Sequence, residues 1–157
     1  MKSLTKSASM LFLLRTNNEG QEILLQKRQN TGYADGMWDC AASGHVDEDE
    51  SMKMALIREA KEELGITIDI EDVEFATITH KYTSDTKSTY YNGFFVVKKY
   101  SGIPCIKEPE KCSDLKWFNI EKLPDNLLPD RKQALQNYLL NIYYDEIGWD
   151  TKFLKVL

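Results

Sequence analysis

The stretch from Gly44 to Ile66, GHVDEDESMKMALIREAKEELGI, constrains this chain more than any other. From Met52 to Leu64 it is rich in Ala, Leu, Met, Glu and Lys and contains neither Gly nor Pro, so it predicts a helix. Asp49 or Ser51 suits its N-cap, and Gly65 suits the residue that ends it. At about 100° per residue, Glu59, Glu62 and Glu63 fall on one face. Met54, Ile57, Ala60 and Leu64 fall opposite and form the expected buried side. Carboxylates at this spacing repel one another by roughly a few tenths of a kcal/mol per pair, a cost that a divalent cation reverses. Hard oxygen donors at this density suit Mg²⁺ or Mn²⁺ rather than Zn²⁺, which favours His and Cys. A solvated acidic face is the blander reading of a glutamate cluster, but it requires neither Gly44, Arg58 nor Gly65.

Gly44, five residues, Glu50, seven residues, then Arg58-Glu59-Ala60-Lys61-Glu62-Glu63-Leu64-Gly65-Ile66 resembles the complete signature of the Nudix hydrolases. The soft departure is Ala60, where that family usually carries a larger aliphatic residue. The resemblance implies an α+β fold, an α/β/α sandwich with a mixed central sheet. It makes Glu62 and Glu63 the principal metal ligands and Glu59 a ligand or general base, with the backbone carbonyl of Ser43 as a further ligand. It makes Arg58 and Glu50 an ion pair that fixes loop and helix, more than a direct catalytic couple. A further carboxylate is expected from a downstream loop; Glu110 is preferred over Glu108, with Asp85 behind them. Together Glu59, Glu62, Glu63 and Arg58 are the expected catalytic set, while Arg28, His45 and Trp38 are the expected substrate contacts.

The implied chemistry is Mg²⁺-dependent attack of water on a phosphoanhydride, with Mn²⁺ as substitute. Two other readings share the fold. The segment Trp38-Asp39-Cys40-Ala41-Ala42-Ser43-Gly44-His45 is similar to the isopentenyl-diphosphate isomerases, but those place a cysteine directly before the glycine, where this chain has Ser43. A non-catalytic nucleotide sensor is the third reading, and the intact set of box carboxylates argues against it.

Composition narrows partners rather than chemistry. A chain of 157 residues, 42% hydrophobic with four prolines, is long enough to bury a core and reads as one domain, 1–157. The formal charge of −5 gives no sign of the basic patch that a nucleic-acid polymer requires, though it leaves room for a small anionic nucleotide. Three cysteines, Cys40, Cys105 and Cys112, form no CxxC pair and read as reduced thiols in a cytoplasmic protein. The apolar run Met10 to Leu14 is too short to enter a membrane and reads as strand. A homodimer is compatible with this composition.

In chain order, Ala8 to Thr16 and Glu22 to Arg28 read as a hairpin turned by Asn17–Gly20, followed by a polar loop to Gly36. Met37 to Val46 reads as a strand up to Gly44. Val73 to Tyr82 and Thr89 to Tyr100 read as a long hairpin, Leu115 to Phe118 as a short strand, and Pro129 to Tyr144 as a second helix. That helix is expected to bury Ala134, Leu135, Tyr138, Leu139 and Ile142. Substrate selection falls to aromatics outside the glutamate helix, such as Tyr33, Trp38, Tyr82, Tyr90, Tyr91, Phe94 and Trp117. Asn30 to Gly36 and Gly148-Trp149 resemble a small bacterial-type Nudix subgroup regarded as nucleotide-cleaning enzymes, so the expected substrate is a nucleoside triphosphate or modified nucleotide.

Overall fold

A computed structural model describes residue 2 and residues 4–149. The first strand, β1 (Thr5–Asn17), shows why its centre is apolar at every position. Met10, Phe12 and Leu14 enter one core while Leu11 and Leu13 enter another, so both faces of the strand are covered. On one side β1 pairs antiparallel with β2 (Gly20–Arg28), and on the other parallel with β6 (Ser88–Val97). The rest of the sheet follows from these three. β3 (Trp38–Cys40) and β7 (Cys112–Asn119) pair with β2, and β4 (Ser43–His45) pairs with β1. β5 (Glu74–Thr83) pairs antiparallel with β6, and β8 (Tyr144–Ile147) pairs parallel with β5. The sheet is mixed and has eight strands among the described residues.

Helix α1 (Met52–Leu64) covers one face and α2 (Pro129–Leu139) the other. Leu56, Ala60 and Leu64 of α1 pack with Leu11 and Leu13, whereas Ala134 and Leu135 of α2 pack with Phe12 and Phe94. Phe12 and Phe94 stack at 5.1 Å, which ties the parallel β1–β6 pair together through side chains as well as backbone. This is the expected α/β/α sandwich.

Several boundaries differ from the sequence reading. Ser51 rather than Asp49 caps α1, accepting from the Met54 amide, and Gly65 closes it at φ 73°. The buried face of α1 is rotated: Ala55 and Leu56 are buried beside Ala60 and Leu64, and Met54 is 48% exposed. The expected single strand over Met37 to Gly44 is two short ones, because β3 pairs with β2 and β4 with β1. The second helix ends at Leu139, so Tyr144 begins a strand and Leu139 and Ile142 are exposed. Pairing with the open edge of β5 outweighs local helix propensity there. Among the described residues no helix is long and apolar enough to cross a membrane.

Candidate active site

The short strand β4 brings Gly44 against α1 so closely that a β-carbon there would overlap the Glu59 carboxylate. Only glycine leaves that space, which is the physical reason for its place in the motif. Arg58 organises the same corner. Its guanidinium donates to Glu50 at 2.6 Å, to Glu59 at 2.6 Å and to the His45 carbonyl at 3.1 Å, and lies 3.5 Å from Glu62. The expected Arg58–Glu50 pair is therefore present, and Arg58 also holds Glu59. The hydrogen bond from Arg58 holds the Glu50 carboxyl below its ordinary range, helped by the Asp47 amide.

Glu63 is the most perturbed carboxylate. Burial pushes its pKa up to about 8 against the pull of a 2.9 Å hydrogen bond from the Ser43 amide, and the neighbouring Glu59, Glu108 and Asp39 raise it further. Burial raises Glu59 as well, opposed by Arg58 and reinforced by Glu62 and Glu108. Glu62 is half-exposed beside them. Crowded, desolvated carboxylates of this kind favour protons or a hard cation, so the donor set fits Mg²⁺ or Mn²⁺. In the present arrangement, among the described residues, no three His, Cys, Asp or Glu side chains converge enough to enclose an ion. The reason is local: Glu59 is drawn to Arg58 and Glu63 to the Ser43 amide.

Of the two downstream glutamates, the structure brings Glu108 near Glu63 and does not bring the expected Glu110 there. The amides of Cys105 and Lys107 donate to the Leu64 and Glu63 carbonyls, satisfying the open end of α1. The next residue, Glu108, is thereby delivered into a cavity of about 200 Å³ lined also by Glu63, Ser43 and Arg28. The turn that follows, closed on the Glu108 carbonyl by the Lys111 and Cys112 amides, leaves Glu110 exposed and outside that cavity.

A second cleft of about 400 Å³ opens on the α2 side of β4, and Ser43 and Arg28 line both spaces. His45 lines it, stacked on Tyr90 at 5.8 Å. Arg28 follows an irregularity in the β2–β7 register and donates to Asp39 at 2.9 Å, to the Tyr33 carbonyl at 2.8 Å and to Thr31 at 3.1 Å. Trp38, an expected substrate contact, lines neither space. It is 8% exposed and packs edge-on against Phe118 at 4.9 Å in the α2-side core, where strand β3 is clamped between β2 and the Leu127 segment. Cys40 is wholly buried in the same core, where burial and Asp39 raise its thiol well above the usual range.

Two cleft residues and the two carboxylates that hold them escaped the sequence reading. Lys81 and Arg131 line the larger cleft, and Asp39 and Asp130 hold them by ion pairs. A signal for one of them existed, because Asp39 is a lone charge inside an apolar run and a buried charge must be paired.

Comparison with known proteins agrees with this geometry. The NUDIX domain family model matches residues 5–138. The NAD-capped RNA hydrolase NudC of Stutzerimonas stutzeri is 30% identical over 137 residues, covering 87% of this chain and 44% of that protein. An isopentenyl-diphosphate Delta-isomerase of Aliivibrio fischeri is 25% identical over 122 residues, covering 75% of this chain and 67% of that protein. The crystal structure of a MutT NUDIX hydrolase from Burkholderia pseudomallei superposes with a TM-score of 0.75 at 25% identity, covering 85% of this chain and 98% of that one. The chain spans about half the length of the first curated relatives that it matches. With the glycine, the arginine and the glutamates of the motif drawn together at one corner of this fold, the chain belongs to the Nudix family.

Proposed function

We propose that the protein is a pyrophosphohydrolase that cleaves a phosphoanhydride bond in a small nucleotide, with Mg²⁺ or Mn²⁺ as cofactor. The observation that carries this reading is the pairing of two spaces across Ser43 and Arg28, one holding the carboxylates Glu63 and Glu108 beside Lys111 and one lined by cations without a carboxylate. A diphosphate laid across that boundary meets carboxylates on one side and positive charge on the other. Glu59, Glu62, Glu63 and Glu108 would hold the cation, with Ser43 contributing backbone. Bound there, a divalent cation neutralises phosphate charge and acidifies water. Arg58 keeps Glu59 in place, and Arg28 and His45, which line the cleft, would meet the phosphate oxygens. In the reaction a water oxygen forms a new bond to phosphorus, the anhydride P–O bond breaks, a box carboxylate takes the water proton, and the departing phosphate keeps the bonding electron pair.

The expected substrate is a nucleoside triphosphate or modified nucleotide, handled by one domain in the cytoplasm; three free cysteines fit a reducing compartment. The test is a panel of nucleoside triphosphates and diphosphate-linked nucleotides incubated with the purified chain and Mg²⁺, reading released phosphate or pyrophosphate. Release that requires the cation supports the proposal. Rearrangement of an isoprenoid diphosphate with no phosphate bond broken, or binding without turnover across the panel, overturns it.

A further inference from the structure

We infer that the wall of the larger cleft away from the carboxylates is a second anion subsite, centred on Arg131 and Lys81. It takes an oxyanion, phosphate or carboxylate, carried by the substrate beyond the scissile diphosphate. The inference rests on the hydrolase reading for its substrate and on a separate set of residues for its chemistry.

Those residues form a continuous ionic chain. Asp39, with no exposed side-chain surface, accepts from Arg28 at 2.9 Å through one oxygen and from Arg131 at 2.8 Å through the other. Asp130 accepts from Arg131 at 2.7 Å and from Lys81 at 2.8 Å. Within the chain three cations meet two carboxylates, on side chains that are 7% to 19% exposed, and Arg28 also faces Glu63 and Glu108 in the carboxylate cavity.

The cationic side of this chain faces the cleft, whose lining holds no Asp or Glu among the described residues. Arg131, Lys81 and Arg28 all line it, whereas neither Arg131 nor Lys81 lines the carboxylate cavity. The Arg131 Nε and Nη1 atoms are spent on Asp39 and Asp130, and among the described residues no hydrogen bond engages its Nη2. Lys81 uses one of its three donors, on Asp130. A guanidinium fixed by two carboxylates with one nitrogen left over, next to a lysine with spare protons, matches an oxygen-rich anion rather than a neutral sugar.

The experiment compares the purified full chain with Lys81→Met and Lys81→Arg. Lys81 is partly exposed, so these variants should fold. Substrates are one nucleoside diphosphate linked to a neutral sugar, to a sugar acid and to a phosphorylated sugar. The expected wild-type result is a KM about tenfold lower for an anionic partner than for the neutral one, a ratio that falls to near one in Lys81→Met and is kept in Lys81→Arg. A preference confined to the phosphorylated or to the acidic sugar identifies the anion. Equal KM values for neutral and anionic partners in the wild type, or a ratio unchanged in Lys81→Met, overturn the inference. A readout without turnover separates it from the hydrolase reading: inorganic phosphate should raise the thermal midpoint of the wild type more than that of Lys81→Met. If no substrate is cleaved but that difference persists, the hydrolase reading fails and the subsite stands; equal stabilisation of both proteins removes the subsite.

Discussion

The Glu59 carboxylate occupies the space that a β-carbon on Gly44 would fill. A methyl group there must displace the far end of a flexible side chain rather than backbone, so the fold should tolerate it. The corner it disturbs also holds Arg58, which is bound to Glu59 at 2.6 Å. Gly44→Ala should therefore melt within a few degrees of wild type while turnover falls about 100-fold, the usual penalty for misplacing a group near the reacting atoms. A thermal scan beside an initial-rate assay checks both halves; a variant that unfolds, or one that works normally, contradicts this account.

The two downstream glutamates give opposite expectations although they lie two residues apart. Glu108 is placed by the capping of α1 and lines the cavity with Glu63, while Glu110 points away. Glu108→Gln should move the Mg²⁺ dependence of activity to higher concentration by about tenfold, in the range seen when a group supporting a metal is removed. Glu110→Gln should leave the titration curve where it is. A reversed pair of results would mean that the 108–111 turn is inverted when the cation binds.

Most of the motif was legible in the sequence because its determinants are local. Ser51, Gly65 and the Arg58–Glu50 pair lie within one loop and helix, where spacing alone fixes neighbours. Glu110 was preferred over Glu108 because what aims Glu108 into the cavity is a set of backbone bonds from Cys105 and Lys107 to the end of α1, which side-chain types do not reveal. Trp38 looked like a stacking platform because an aromatic near a glycine motif reads the same in core or cleft; only its packing on Phe118, 80 residues on, separates them. The Asp39–Arg131 bond joins residues 92 positions apart, beyond any periodicity.

Cation binding should expel a proton. With its pKa raised to about 8 by burial and neighbouring carboxylates, Glu63 is mostly protonated at pH 7 in the metal-free protein. A raised folded-state value means that this group's stabilising contribution is complete below its ordinary pKa and is lost as pH rises through 8. Adding Mg²⁺ in weak buffer at pH 7 should therefore release close to one proton per protein, falling toward zero near pH 9 and absent in Glu63→Gln. Dye-monitored acidification during the titration measures it; a release that does not change between pH 7 and 9 assigns the proton to another group.

The ionic chain under the cleft makes an ordering of stabilities that side-chain size alone would not. Asp39→Asn removes a carboxylate bound by two guanidiniums, leaving Arg28 without its ion-pair partner and Arg131 and Lys81 sharing Asp130. Breaking a buried pair in this way costs about 3–5 kcal/mol. Arg131→Met removes the longer side chain yet leaves two balanced pairs, Asp39 with Arg28 and Asp130 with Lys81. Its cost should be smaller, because methionine fills much of the vacated volume and no charge is stranded. Asp130 adds a pH signature. Burial raises its carboxyl, but Arg131 and Lys81 together pull it below the ordinary range. A lowered value contributes stability above the ordinary pKa that is lost as pH falls through the folded one. Urea unfolding at neutral and acid pH should thus rank wild type above Arg131→Met above Asp39→Asn at pH 7. The wild type's lead over Arg131→Met should narrow in acid, since that variant has already lost one of the two cations that hold Asp130 ionised. If Arg131→Met proves the less stable of the two variants, the arginine acts through packing rather than through the charge balance described here.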